Sequence, residues 1–254
     1  MTGRLIVVGL GPGDPRYLTP EAEEALAAAE ALYGYGPYLD RVPVRAGQNR
    51  HASNNREERA RATTALRHAA QGARVAVVSG GDPGVFAMAA AICEAIEAGP
   101  DSWRALDVAI IPGITAMLAV AARIGAPLGH DFCAISLSDN LKSWETIERR
   151  LRAAAEADFV IALYNPASRA RPYQLGRAFE LLRATKSPQT IVLFVRSAAT
   201  PETRVVTTVL AEADPAHADM RTLVIIGSAA TRLISRGEHR PWVYTPRAEQ
   251  DVGR

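Results

Sequence analysis

Cysteine is nearly absent from this 254-residue chain: there are two, Cys93 and Cys133, far apart and in no Cys-x-x-Cys or paired-histidine spacing. Neither a disulfide framework nor a structural zinc site is suggested, and Cys93 is expected in a core. Lysine is just as scarce. Of 29 basic residues only Lys142 and Lys186 are lysines. The rest are arginines, whose planar forks suit carboxylate or phosphate, although a general preference for arginine over lysine explains the ratio as well. No apolar run approaches the roughly 20 residues of a membrane span. Met1-Thr-Gly-Arg4 leads straight into a strand instead of a charged and apolar leader, so a cytoplasmic protein with no membrane partner is expected. A net charge of +2 is too small to argue for a nucleic-acid partner.

What is present is ordinary globular material, 48% hydrophobic and 22% charged, enough for two α/β domains. Strand-like runs at Leu5–Val8, Ala31–Tyr35, Val75–Val78 and Val108–Ile111 alternate with helical patterns, which predicts a largely parallel sheet. Thr19-Pro20-Glu21 reads as a helix start, and Asn55 to Gln71 as a helix closed by Gly72. After Asp82-Pro83, the set Val85, Ala89, Ile92, Cys93 and Ile96 has the spacing of one buried helix face, with Asp82 as its N-cap. Thr115 can cap a short helix. Gly125-Ala-Pro-Leu-Gly129 then breaks the pattern and is read as a hinge. Later strands at Phe132–Leu137, Phe159–Tyr164, Ile191–Val195, Arg204–Leu210 and Leu223–Ile226 have little helix between the last of them, so the second half is expected to be a mixed sheet. The domains are taken as 1–113 and 114–245, with a frayed polar tail at 246–254.

The chemistry is expected in the glycine turns. Gly9, Gly11 and Gly13 follow the first strand, but a dinucleotide site wants Gly-x-Gly-x-x-Gly and an acid about 20 residues on. Here the third glycine is one place early, and Ala31, Leu32 and Tyr33 stand near the acid position. Pro12 removes a donor from a loop whose phosphate chemistry depends on donors. Glycine and proline together instead make a stiff backbone surface that a flat adenosine can approach closely. Ser79-Gly80-Gly81-Asp82-Pro83 repeats the arrangement after another strand, at the same carboxyl edge of a parallel sheet. Asp82, Asp14 and Thr115 also have a plain reading as caps and turn residues.

Gly9-Leu-Gly-Pro-Gly-Asp-Pro15 with Leu18-Thr19, then Gly80-Gly81-Asp82-Pro83, then Pro112-Gly113-Ile114-Thr115-Ala116, in this order and spacing, resemble the S-adenosylmethionine-dependent tetrapyrrole (precorrin) methyltransferases. The resemblance runs from Leu5 to about Thr231. It implies two α/β domains with the cofactor in the cleft between them, a carboxylate-rich tetrapyrrole substrate and a homodimer. Gly34–Leu39, Ser79–Phe86, Leu137–Trp144, Ala162–Pro166 and Arg171–Leu175 resemble the subgroup that methylates precorrin-3B at C-17 and contracts the ring to precorrin-4 in cobalamin biosynthesis. Another precorrin or cobalt-precorrin C-methyltransferase stays open, as does, from a different class, a nicotinamide-dependent oxidoreductase.

By position, the resemblance implies that Pro12, Gly80, Gly81, Asp82, Val85, Thr115 and Ala116 line S-adenosylmethionine, with Tyr164, Asn165 and Ala198 completing the set. Methyl transfer from a sulfonium is an in-line displacement that needs reacting carbons held about 3–3.5 Å apart, and neither a metal nor a protein nucleophile. S-adenosylhomocysteine is the product. Ring contraction adds a need for proton transfer, for which Ser138, Asp139 and Tyr164 are candidates, with Asn140 beside them; all four also suit turn chemistry. Arginine forks for the substrate carboxylates are sought at Arg45, with Arg41 and Arg50 nearby, and at Arg169 and Arg171. Basic clusters interleaved with aromatics, as RNA binding requires, are few.

Overall fold

A computed structural model of the chain describes residues 3–248. Strand alternation dictates the first unit, which ends at Ala116. In β1 (Arg4–Gly9), Leu5 and Val7 face one core and Val8 the other; in β4 (Arg74–Ser79), Val75 and Val77 oppose Ala76 and Val78. Both faces are apolar, as a covered parallel sheet requires. The other strands are β2 (Ala31–Tyr35), β3 (Asn49–Ser53) and β5 (Asp107–Ile111), in the order β3-β2-β4-β1-β5, all parallel. On one face α1 (Pro20–Ala28) and α2 (Gly36–Leu39) bury Leu26 and Leu39. On the other, α3 (Glu58–Ala70), α4 (Met88–Ala98) and α5 (Asp101–Arg104) bury Leu66, Ile92 and Trp103. Thr19 Oγ1 accepts the Ala22 N–H at 3.1 Å, so the predicted cap closes α1, a contact of the kind that contributes about 1 kcal/mol.

The second unit begins at Met117, one residue into α6 (Ala116–Ile124). Its main sheet has the order β10-β9-β11-β8-β7, from β7 (Phe132–Ser136), β8 (Val160–Tyr164), β9 (Ile191–Arg196), β10 (Arg204–Val209) and β11 (Thr222–Ile226). β7 and β8 are parallel and the other pairs antiparallel, a mixed sheet. Ile161 and Leu163 pack with α7 (Trp144–Glu156) and α8 (Gln174–Arg183); Val160 and Ala162 pack with α6.

Three expectations are corrected. Gly125 is no hinge: Gly125–Ala126 forms the short β6, which pairs with β13 (His239–Tyr244), itself hairpinned to β12 (Arg232–Arg236). Asp82 does not cap a helix, because α4 starts at Met88. Cys93 is exposed, since the helix turns Met88, Ala89, Ile92 and Ala95 inward. Thr245, just before the expected tail, is held to Pro127 O at 2.6 Å, and 249–254 lie outside the described residues.

Candidate functional site

Parallel β4, β1 and β5 are neighbours, so the loops leaving their carboxyl ends meet at one edge of the first unit. They meet backbone to backbone. Gly11 and Gly81 exchange two bonds, N–H to O at 3.1 and 2.8 Å, and both sit in the left-handed region, at φ +67° and +69°. A Cβ on Gly113 would lie 2.3 Å from Gly81 O, and one on Gly9 would lie 2.6 Å from Gly113 N, so no side chain fits between the three loops. Asp82 ties them together: Oδ1 accepts the Gly84 N–H at 2.7 Å and Oδ2 the Gly113 N–H at 3.0 Å. Tyr38 covers Gly80, and burial raises its phenol pKa.

Five donors of this edge are already committed. The amides of Leu10, Gly11, Gly81, Gly84 and Gly113 are all bonded internally, and Pro12 has none. A phosphate would find a carboxylate and occupied N–H groups. A neutral adenosine, or a cation, would find close-set backbone. Pro12, Gly80, Gly81, Asp82, Val85 and Thr115 belong to these loops and Ala116 opens α6 directly after them, with Thr115 Cα placed 3.7 Å from a Cβ on Gly81.

The basic candidates of this unit fare differently. Arg41 donates through Nη2 to Leu10 O at 2.7 Å and Gly11 O at 2.9 Å, so it braces the glycine loop, and burial lowers its pKa. Arg50 donates to Val42 O and Leu39 O. Arg45 lies in the turn whose Gln48 leads into the start of β3, at the amino edge of the parallel sheet, away from the loops above.

In the second unit β7, β8 and β9 run the same way, so their carboxyl ends share an edge. Tyr164 ends β8 there, and Ser138, Asp139, Asn165, Arg169, Arg171 and Ala198 lie on the loops beyond the strands. Tyr164 Oη accepts the Met117 N–H at 3.1 Å. Asn165 adopts φ +52°, which asparagine tolerates better than most residues, and its Nδ2 donates to buried Ser136 Oγ at 3.0 Å. The Ser138 N–H reaches the same oxygen at 3.3 Å. Asp139 Oδ2 accepts from Gln174 Nε2 at 3.1 Å. Ala198 is buried between Ser197 and Ala199, both at positive φ (+51° and +59°), a strained turn held by Thr200 and Thr203 hydroxyls on Ser197 O. Arg169 is exposed and Arg171 buried, so the two do not act as an equivalent pair.

Residues 4–214 match the family model of the tetrapyrrole (corrin/porphyrin) methylases. The chain belongs to this family. Like its relatives, this tetrapyrrole methylase has the two-unit α/β fold of its family's solved structures. It is 62% identical, over 97% of both chains, to precorrin-3B C(17)-methyltransferase of Sinorhizobium sp. The crystal structure of the methyltransferase CobJ matches it with a TM-score of 0.92 and 53% identity, over 96% of this chain and 100% of that one. A uroporphyrin-III C-methyltransferase from Thermus thermophilus, solved with S-adenosyl homocysteine, matches with a TM-score of 0.69 and 26% identity, over 89% and 97%. Among the described residues no group of three or more His, Cys, Asp or Glu is placed to hold a metal, and no helix is long and apolar enough to cross a membrane.

Ser136, Ser168, Gln174 and the bracing role of Arg41 escaped the sequence reading. Ser136 carries no motif. Gln174 lies within Arg171–Leu175 with no local pattern that marks it, and nothing in the sequence around Arg41 distinguishes a brace from a substrate fork.

Proposed function

We propose that this tetrapyrrole methylase transfers a methyl group from S-adenosylmethionine to C-17 of precorrin-3B, with contraction of the ring to precorrin-4, in cobalamin biosynthesis. The observation that carries the reading is the 62% identity to precorrin-3B C(17)-methyltransferase over 97% of both chains. The loop edge of the first unit supports S-adenosylmethionine over a nicotinamide dinucleotide, whose pyrophosphate needs the amides that Gly11, Gly81 and Gly113 have already committed.

Pro12, Gly80, Gly81, Asp82, Val85, Thr115 and Ala116 are the residues we assign to the cofactor, together with Tyr164, Asn165 and Ala198. The cofactor supplies an electrophilic methyl on a positively charged sulfur. The chain's share of the work is to fix backbone surfaces before the ligand arrives, which lowers the ordering cost of binding. Asp139, oriented by Gln174, and Ser138 stand at a strand edge where a proton can be accepted or given during ring contraction. Tyr164 is the third candidate for that role. We take the active species to be a cytoplasmic homodimer that binds no nucleic acid.

The test is anaerobic incubation with precorrin-3B and S-adenosylmethionine labelled in its methyl carbon, followed by mass and carbon NMR analysis. Label at C-17 of a contracted ring is the expected product. Label at another carbon, or turnover only with a cobalt-loaded substrate, assigns a different reaction of the same family. Tight NADH binding without S-adenosylmethionine binding would remove the methyltransferase reading altogether.

A further inference from the structure

Burying a guanidinium without a counter-ion or a full set of acceptors is costly, because arginine keeps its charge. Among the described residues Arg61, Arg171 and Lys186 are the buried cations. Two have partners. Arg61 donates to Ser53 Oγ, Asn54 O and Met88 Sδ, and Lys186 Nζ stands 2.6 Å from Asp158. Arg171, only 8% exposed, encloses Nε and Nη1 with no partner for either.

The same stretch holds two more such atoms, Ser168 Oγ and Gln174 Oε1. Backbone bonds between Ser168 and Arg171, 3.1 and 3.0 Å, close a narrow bridge that sets both side chains on one face of the turn. Gln174 is oriented by its bond to Asp139, which leaves Oε1 as its spare acceptor. Enclosed polar atoms in folded proteins nearly always have partners, so this concentration within 168–174 calls for an explanation from outside the chain. A hollow of about 500 Å³ borders the turn, with Ser168, Arg169, Pro172, Met220 and Arg221 among its walls; Arg171 and Gln174 are enclosed beside it and form none of its surface, whereas Ser168, bridged to Arg171, does. Asp219, also on the wall, is neutralised by Arg196 at 2.7 Å.

We propose that residues 168–174 form a carboxylate-recognition subsite with Arg171 as its anchor, and that the group it takes is a peripheral carboxylate of the tetrapyrrole. Arg171 supplies a desolvated charge and Ser168 a second donor. Arg169 and Arg221 draw the acid in along the hollow. Gln174 Oε1 accepts a proton-bearing neighbour of the same ligand. The identity of the ligand rests on the reaction proposed above; the chemistry of the turn asks only for an anion.

The probe is uroporphyrin III, a tetrapyrrole bearing acetate and propionate arms, titrated by fluorescence without methyl donor into wild type, Arg171→Gln and Ser168→Ala. Thermal unfolding of each ligand-free protein is read alongside. Arg171→Gln is expected to bind the porphyrin about tenfold more weakly or worse, as loss of a charged hydrogen bond predicts. It is also expected to melt no lower than wild type, because it sheds an uncompensated buried charge. Ser168→Ala weakens binding by about threefold or more. A structural arginine gives the reverse pattern, a lower melting temperature with undiminished affinity, and that result overturns the proposal. If Arg171→Gln does not fold, unchanged affinity in Ser168→Ala overturns it alone. Displacement of the porphyrin by millimolar glutarate, which has carboxylates but no macrocycle, would reassign the subsite to a free small acid. Methylation of precorrin-3B by wild type separates the two readings. Arg171-dependent porphyrin binding in a protein that leaves precorrin-3B unmethylated keeps the subsite and removes the reaction, and methylation with Arg171-independent binding does the opposite.

Discussion

Replacing Asp82 by asparagine removes one carboxylate oxygen from a junction where both are in use. Oδ1 holds the Gly84 N–H at 2.7 Å and Oδ2 the Gly113 N–H at 3.0 Å. Asparagine retains a single acceptor. If it stays with Gly84, its NH2 group faces the Gly113 N–H, donor against donor, and the loop after β5 loses its tie to the loop after β4. A bond to a charged acceptor contributes about 1.5–3 kcal/mol, so the loss is about 2 kcal/mol, or roughly thirtyfold in an equilibrium constant. Calorimetric titration with S-adenosylhomocysteine should show weakening of about ten- to a hundredfold. S-adenosylmethionine should lose the same factor, because the carboxylate acts on the loops and not on the sulfonium charge. Unchanged affinity for both ligands would refute the role of the junction. A loss confined to the sulfonium would show that Asp82 recognises charge directly.

Gly113→Ala places a Cβ 2.3 Å from Gly81 O, a backbone atom that cannot swing away, and should lower the melting temperature and the cofactor affinity together; affinity at the wild-type level would mean the loops part without consequence. Asp158→Asn keeps a side chain suited to φ +54° but strands buried Lys186, and should cost about 3 kcal/mol or more in urea unfolding. Burial pushes the Asp219 carboxyl up, and hydrogen bonds from Arg196, Thr222 and Arg221 more than reverse this, leaving its pKa below the ordinary aspartate value. Its stabilising contribution is therefore complete above that ordinary value and is lost as the pH falls through the depressed one. The gap in urea midpoint between wild type and Asp219→Asn should be present at neutral pH and close in acid.

Long apolar runs made the fold legible. Leu5–Val8, Val75–Val78 and Ile191–Val195 could only be buried strands, and Thr19-Pro20 could only start a helix. The elements missed were those stabilised by position and not composition. Asn49–Ser53 is polar except for Ala52 yet pairs at a sheet edge, and Gly125–Ala126 is extended only because β13 lies beside it. In the candidate site, the glycines marked loops that the fold packs against one another, since backbone on backbone at Gly9, Gly81 and Gly113 leaves no room for a side chain. They misled about Asp82, whose partners come from Gly84 and from Gly113 in another loop, a tertiary fact no local pattern carries. Arg171 and Arg169 looked alike in sequence and differ entirely in burial, because the bridge from Ser168 to Arg171 turns one inward.

The paired glycines Gly11 and Gly81 carry one more implication, for competition. ATP and the nicotinamide coenzymes share an adenosine with S-adenosylmethionine and are abundant wherever metabolism runs. On the cofactor placement proposed above, their adenosine half would lie on the same backbone and their phosphates would come beside Asp82, where Gly11 and Gly81 have given their amides to each other's carbonyls and Gly113 its own to the carboxylate. That placement would build selectivity against the commonest adenine compounds into the resting protein, before any substrate has bound.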